Sequence, residues 1–416
     1  MKILMLTDRY PPELRSSAAL FHDLARALQA RGHEVRVITK VPSKYTPPDG
    51  GAGRKESKNG WKDVEGVPVR RVRWVPYLRG GRAVRALDHL TLWLAFSFAG
   101  REWPEADVVL IYSPPLPLAL AGGAYRWRYR APFVLNVQDL YPQTVVDLGL
   151  LRNRAAIRAA EGLEAAAYRL AGRIVVHSPG NREFLIQRKG VPPGKLRVIY
   201  NWVDLDRLRP GAKENVFRQQ NGLEGRFVVS FAGLMGYAQD LTPVIEAAGL
   251  LQGRPEIIFL LVGEGVAESR WKTMVSAKRL LNVRFLPMQP QDSYVRVLSA
   301  SDVCLVPLAG ELRTPVVPGK LQSIMASGRP VVATLDHEGD AAKIIREAEC
   351  GYAVPPGSAQ EVAEKILRLY HEPRLTERLG MNGRNYAQEH FSKSACCDAY
   401  ERLFEEVLAE SRAGRV

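Results

Sequence analysis

One lysine, in the run Val317-Pro318-Gly319-Lys320-Leu321, stands just ahead of Met325-Ala326-Ser327-Gly328-Arg329-Pro330-Val331-Val332. Together these stretches read as a tight loop, a helical turn or two, a glycine stop and a buried strand. A cation beside the free N–H groups of a helix start suits an anion such as a diphosphate. A second glycine loop, Phe231-Ala232-Gly233-Leu234-Met235-Gly236, lies about 85 residues upstream, again between a strand pattern and a helix pattern. Gly233 and Gly236 let the backbone approach a ligand with no Cβ in the way and offer N–H groups at the next helix start. A plain strand-to-helix turn is the competing reading. Two such loops in one half of the chain point to a nucleotide site. Gly263-Glu264-Gly265 follows a further apolar run. Glu264 reads either as an acceptor for a ribose or sugar hydroxyl or as a helix N-cap.

The elements that must position these loops alternate. In the first half, strands are predicted at Ile3–Thr7, Glu34–Thr39, Val67–Val75, Asp107–Tyr112, Pro132–Val137 and Ile174–His177, with a helix at Ala18–Ala30 ending at Gly32. Continuous apolar runs suit strands covered on both faces. The Pro-, Gly-, Lys- and Ser-rich piece Pro42–Lys62 reads as a mobile loop. The pattern restarts with Phe227–Phe231, Ile257–Val262, Val283–Leu286, Val303–Val306 and Val331–Thr334, separated by helices such as Thr242–Leu251 and Glu361–Tyr370. The expected fold class is α/β, two doubly wound parallel sheets. Residues 1–205 form one domain and 206–394 the other, and the long amphipathic helix of 395–416 crosses back to the first. Ligands of such sheets bind beyond the carboxyl ends of the strands, so two facing sheets make a cleft.

Charge is placed unevenly. Residues 1–205 hold 32 Lys/Arg against 18 Asp/Glu, whereas 206–416 hold 26 of each. The basic half reads either as ordinary solvated charge or as a surface for an anionic partner. No nucleic-acid-binding signature appears, which leaves lipid headgroups or a phosphorylated acceptor. Arg79, Arg82 and Arg85 precede a Leu-, Trp- and Phe-rich run through Ala99, too short to cross a bilayer. It reads as an interfacial segment or a buried helix. Cys304, Cys350, Cys396 and Cys397 lack ligand spacing and read as reduced thiols. The apolar N-terminus is too short for a signal peptide. Both features suggest the cytoplasm.

Asp8-Arg9-Tyr10-Pro11-Pro12-Glu13, Arg31-Gly32-His33-Glu34-Val35, Ile199-Tyr200-Asn201-Trp202-Val203-Asp204, Val262-Gly263-Glu264-Gly265, Asn282-Val283-Arg284-Phe285-Leu286-Pro287 and Ser301-Asp302-Val303 occur in that order ahead of the run from Met325. By these landmarks and their order the chain resembles the family-4 glycosyltransferases of GT-B fold. Val317 through Leu321, Gly233 through Asp240, and Val137-Gln138-Asp139-Leu140-Tyr141-Pro142 resemble the bacterial envelope-polysaccharide subgroup, including transferases of N-acetyl-fucosamine-like sugars in O-antigen and capsule synthesis. Three positions depart from the wider family. Pro315 and Ser323 stand where many members carry two glutamates, Leu234 and Gln239 where they carry Arg and Lys, and Gln138 where a histidine is common. They read as subgroup character.

The resemblance implies retaining transfer of a sugar, including an N-acetylated amino sugar, from a nucleotide-diphosphate donor, UDP-linked, to a lipid-linked or saccharide acceptor at the inner face of the cytoplasmic membrane. Gly233, Gly236, Gln239, Gly263, Glu264, Leu286, Pro287, Gly319, Lys320 and Leu321 are the expected donor contacts, with the Leu286-Pro287 loop holding the base. Gln239 brings no charge, which leaves Lys320 as the main cation for the phosphates. Arg15, Ser16 and Ser17 at the first loop–helix junction read as diphosphate or acceptor contacts or as simple capping. Asp139 either orients the acceptor hydroxyl or caps its own turn. No cofactor and no metal are expected. Two other classes remain open: a sugar-nucleotide epimerase on the same architecture, and a non-enzymatic nucleotide-sugar or nucleic-acid binder.

Overall fold

The computed structural model describes residues 1–13, 16–42, 60–72 and 92–414, with the side chains of Ser16 and Gln291 outside that description. Arg15, the basic run at Arg79, Arg82 and Arg85, and most of the Pro42–Lys62 loop lie outside the described residues. The chain divides into two compact units, Met1–Asn201 with Ser394–Val416, and Trp202–Lys393.

The first unit is built on strands β1 (Lys2–Leu6), β2 (Glu34–Lys40), β3 (Lys62–Val64), β4 (Val67–Val72), β5 (Val108–Ser113), β6 (Phe133–Val137), β7 (Arg173–Val176) and β8 (Leu196–Val198). They lie in the order β3-β4-β2-β1-β5-β6-β7-β8, and only the β3–β4 pair is antiparallel. Strand β1 pairs Ile3 with Val35 on one side and with Val108 on the other. The direction of strand order therefore reverses between β1 and β5, which opens a crevice beyond their carboxyl ends. Strands β5 and β6 are buried along their whole length, as their apolar runs require.

Helix α1 (Ser16–Ala30) returns β1 to β2. The helical stretch 92–100 (α2), α3 (Leu118–Tyr129), α4 (Gln143–Asp147), α5 (Arg154–Leu170) and α6 (Pro179–Lys189) carry the remaining connections. Strand order rises steadily from β1 through β8, so right-handed crossovers place α3, α5 and α6 on the face opposite α1.

The second unit has strands β9 (Phe227–Ala232), β10 (Ile257–Val262), β11 (Val283–Leu286), β12 (Val303–Pro307), β13 (Val331–Thr334) and β14 (Gly351–Val354) in the order β11-β10-β9-β12-β13-β14, all parallel. Its reversal falls between β9 and β12. Helices α7 (Val216–Gln220), α8 (Thr242–Leu250), α9 (Glu268–Ala277), α10 (Gln291–Ala300), α11 (Gly319–Ala326), α12 (Asp340–Glu347), α13 (Ala359–His371) and α14 (Pro373–His390) cover it. Phe231, Phe259, Leu261, Leu305 and Val332 form the centre of its core with no exposed surface or almost none.

Helix α15 (Lys393–Arg412) belongs to the first unit although it follows the second in sequence. It buries Cys396, Cys397, Tyr400, Leu403, Phe404 and Val407, a helical stripe. Its acidic residues meet the basic unit. Asp398 pairs with Arg31 at 2.5 Å, Glu401 with His33 at 2.7 Å, Glu406 with Arg173 at 3.0 Å and also with Arg197, and Glu410 with Arg173. Part of the surplus positive charge of the first half is thus met within the protein and does not await an external anion. All four cysteines are buried free thiols.

Candidate functional site

At the reversal of the second sheet, three loops meet. The chain leaves β9 through Gly233, whose φ of +145° suits glycine alone. The Gly233 N–H continues the sheet to Val262 O at 2.9 Å, and Met235 N–H donates to Glu264 O at 2.8 Å. The β10 exit at Gly263 has φ +150° and passes so close beneath that a Cβ there would lie 1.9 Å from Gly233 O. Ala309 N–H, beyond β12, donates to Ala238 O at 3.0 Å and ties the third connection to the first.

Helix α11 begins at this junction with Pro318 as N-cap and no side-chain cap, so the N–H groups of Gly319 and Lys320 have no partner among the described residues. Lys320 projects over the Gly233 loop, with a Cβ on Gly233 falling 2.3 Å from Lys320 Cε. Its ammonium stands 4.9 Å above the Phe231 ring. Among the described residues no carboxylate or hydrogen-bond acceptor meets that ammonium. Burial lowers its pKa to about 8. A half-buried cation without an anion, beside open helix N–H groups, has the chemistry that suits an anion supplied from outside. Gly319 next to it is exposed, and a side chain there would meet nothing within 4 Å.

The other expected donor residues take varied positions. Gly236 N–H is satisfied by Gln239 Oε1 at 3.1 Å, and Gly233 N–H by the sheet, so neither glycine has a spare donor for phosphate. Gln239 keeps only its NH2 end free of that bond. Leu321 is fully buried, and its N–H is spent on Pro318 O at 2.9 Å, so it packs rather than contacts. Glu264 is exposed and does not cap α9, whose N-cap is Ala267. Leu286 and Pro287 close β11 and line a cavity of about 300 Å³ with Phe217, Gln289 and Arg296.

In the first unit, Ser16 opens α1, and Ser17 hydrogen-bonds the Tyr112 hydroxyl at the end of β5. Asp139 follows β6. Its backbone carbonyl accepts from Tyr141 N–H at 2.8 Å, whereas α4 has Pro142 as N-cap and no side-chain cap. The Asp139 carboxylate therefore does not cap the local turn, and among the described residues it has no hydrogen-bond partner. It stays accessible to water, yet the protein around it displaces enough hydration to raise its pKa.

Behind Asp139 lies a polar network that linear reading missed. Asn136, 1% exposed, sits within the apolar strand β6. It meets Tyr400 of α15, His177 Nε2 at 3.0 Å and Gln138 at 2.9 Å. His177 Nδ1 faces Ile199 O at 2.7 Å. Burial lowers the His177 pKa to about 4, so the ring is neutral and donates from Nδ1. Its Nε2 must then accept, and Asn136 turns its NH2 toward it, with Gln138 and Asn201 turned in concert. The one signal in the sequence was an asparagine inside an apolar strand.

Two Rossmann-like sheets, each with a ligand-type crevice at its reversal, define the GT-B class of nucleotide-sugar enzymes. Residues 17–202 match the family model described as "Glycosyl transferase 4-like domain", and 226–372 match "Glycosyl transferases group 1". The chain belongs to this glycosyltransferase family. WcaI of Escherichia coli K12, named for colanic acid biosynthesis, is 29% identical over 352 residues, 81% of this chain and 84% of WcaI. WbjE of Pseudomonas aeruginosa, named as a glycosyltransferase, is 26% identical over 74% of this chain and 76% of its own. Among solved structures, Anabaena HepE in complex with UDP superposes with a TM-score of 0.73 at 20% identity, over 98% of this chain and 100% of that one. WaaG, a glycosyltransferase involved in lipopolysaccharide biosynthesis, gives 0.69 at 17% identity over 97% and 99%. The chain is a glycosyltransferase of GT-B fold.

Proposed function

We propose that this enzyme transfers a sugar, with retention, from a UDP-linked donor to a lipid-linked or saccharide acceptor in cell-envelope polysaccharide synthesis. The observation that carries the reading is Lys320, a half-buried ammonium with no internal anion at the sheet reversal. A relative named for colanic acid biosynthesis, a structural neighbour named for lipopolysaccharide biosynthesis and another solved with UDP support the choice of pathway and base. An N-acetylated amino sugar is the proposed cargo, in line with the subgroup resemblance.

In this reading the second unit holds the nucleotide. The α11 N-terminus and Lys320 take the diphosphate, Gly319 and Gly233 allow its close approach, and the Leu286-Pro287 backbone holds the base. The bond from the anomeric carbon to the β-phosphate oxygen breaks, and the acceptor oxygen bonds to that carbon. Negative charge grows on the departing phosphate, where fixed donors act more strongly in the transition state than in the ground state. Asp139 and the α1 start at Ser16 and Ser17, with Arg15, orient the acceptor. The acceptor proton passes to the departing phosphate. No helix among the described residues is long and apolar enough to cross a membrane. We assign the protein to the inner membrane face, held there by the basic first unit against anionic lipid.

Incubation with a panel of nucleotide sugars, with and without membrane lipid extract, tests the reading. Acceptor-dependent UDP release is expected. Isomerisation without acceptor would move the protein to the epimerase class. Excess EDTA is expected to leave turnover unchanged, and a tenfold loss restored by a divalent ion would remove metal independence.

The Lys320 pKa fixes a pH dependence. Bound diphosphate favours the protonated amine, so affinity is flat up to about pH 7 and falls above about 8 as the free enzyme loses its proton. The fall is up to tenfold per pH unit. Calorimetric titration with UDP at pH 7, 8 and 9 reads it, and equal affinities would place the phosphate elsewhere.

A further inference from the structure

We infer that Gln138 and Asn201 form a reciprocal amide clamp that positions the Asp139 loop for the acceptor, an inference that rests on the acceptor role proposed for Asp139. The backbone is held by the sheet as far as Gln138, whose N–H donates to Ser113 O at 2.9 Å. Asp139 is the first residue beyond that bond. Its carboxylate has no anchor of its own among the described residues, so its aim depends on what immobilises its neighbour. The Gln138 and Asn201 amides face each other head to tail, with N···O separations of 3.1 Å at one end and 2.8 Å at the other. Two bonds in parallel between planar amides fix direction as well as distance, which one bond does not.

The clamp is braced behind. Gln138 also reaches Asn136 at 2.9 Å, and Asn136 meets His177 and Tyr400. Tyr400 comes from α15 and Asn201 from the last position of the first unit before Trp202, so distant chain segments converge behind one carboxylate. Partly buried amides in such a network gain order only if every member is satisfied. The type of residue 138 matters here. A histidine carries its two nitrogens on opposite ring edges and cannot form a reciprocal pair with one amide. Glutamine at 138 therefore acts as a positioning residue, and no contact with substrate is required of it.

The test uses full-length Gln138→Ala, Asn201→Ala and the double variant. At saturating nucleotide sugar, each single change is expected to lower kcat about tenfold or more with KM for the nucleotide sugar unchanged. The double variant is expected to be no slower than the slower single one, because either change already opens the clamp. Amide hydrogen exchange across 138–147 rises about tenfold, while peptides of 226–372 exchange as in the parent. Gln138→Glu keeps the side-chain length and one of the two bonds, and serves where truncation unfolds the first unit; faster exchange in this loop is expected there too. Losses that multiply in the double variant, or unchanged exchange across 138–147, overturn the clamp. A parent enzyme inactive with every nucleotide sugar would instead sink the proposed reaction, and the exchange measurement would still decide the clamp.

Discussion

Replacing Lys320 by alanine or methionine is expected to cut turnover about a hundredfold, the scale of losing one fixed donor to a developing oxyanion. The methionine variant is also expected to melt higher than the parent. The two effects share one cause. In the unfolded chain the lysine titrates near 10.5, and in the folded protein near 8, because burial disfavours the ammonium. Below pH 8 the folded state carries a charge that it solvates poorly, and the unfolded state does not. Between the two pKa values the unfolded chain holds the extra proton, so stability rises with pH through this window. Methionine fills similar space over Phe231 with no charge, so its gain is largest below pH 8 and shrinks toward pH 10.5. Melting curves at pH 7 and pH 10, with UDP release under saturating donor, check both parts. Near-parental turnover would remove Lys320 from the phosphate site. A lower melting point at pH 7 would show the amine to be paired in the folded protein. A residue that costs stability and is retained in a binding crevice fits a trade of stability for function.

The sheets were legible because a parallel strand covered on both faces must be an apolar run. Ile257–Val262 and Val331–Thr334 coincide with the observed strands, and the apolar stripe near the C-terminus marked α15. Of the short edge strands β11 was read, but β8 and β14 were not legible. Strand β8 has three residues, and β14 is only half-buried along most of its length, so neither makes a long apolar run. Helix α14 was masked by glycines that look like breakers. A Cβ on Gly380 would lie 2.2 Å from Gly328 O, and Gly383 packs against Met325 and Cys350. Those glycines permit close helix packing inside a helix that tertiary contact stabilises. At the site, the glycine loops could be read because each follows a strand end, and the lysine because it stands at a helix start ahead of a glycine stop and an apolar run. The Phe231 ring under Lys320 could not, since it depends on β9 and α11 meeting. Nor could the spent N–H groups of Gly233 and Gly236. Their partners are set by the register of β10 and by one rotamer of Gln239. The amide network joins residues 136, 138, 177, 201 and 400, and no local pattern links positions so far apart.

Gly263→Ala is expected to lower the melting temperature on the order of 10 °C and to abolish measurable UDP binding, whereas Gly233→Ala abolishes binding with a smaller thermal loss. Both positions have a φ that an L side chain rarely adopts, which alone costs about 1–3 kcal/mol. They differ in what the new methyl meets. At Gly263 the obstacle is backbone, Gly233 O at 1.9 Å, held by the Gly233 N–H bond to Val262. Relief requires the exits of β9 and β10 to separate, which breaks sheet bonds in the core of the second unit. At Gly233 the obstacle is Lys320 Cε at 2.3 Å, the flexible end of a side chain that can swing away. The fold survives that swing, but the ammonium leaves the α11 N-terminus and the phosphate site loses its cation. Differential scanning calorimetry with and without UDP separates the two cases. Equal thermal losses would mean that Lys320 is as rigid as the backbone, and retained UDP binding in Gly233→Ala would place the diphosphate away from Lys320.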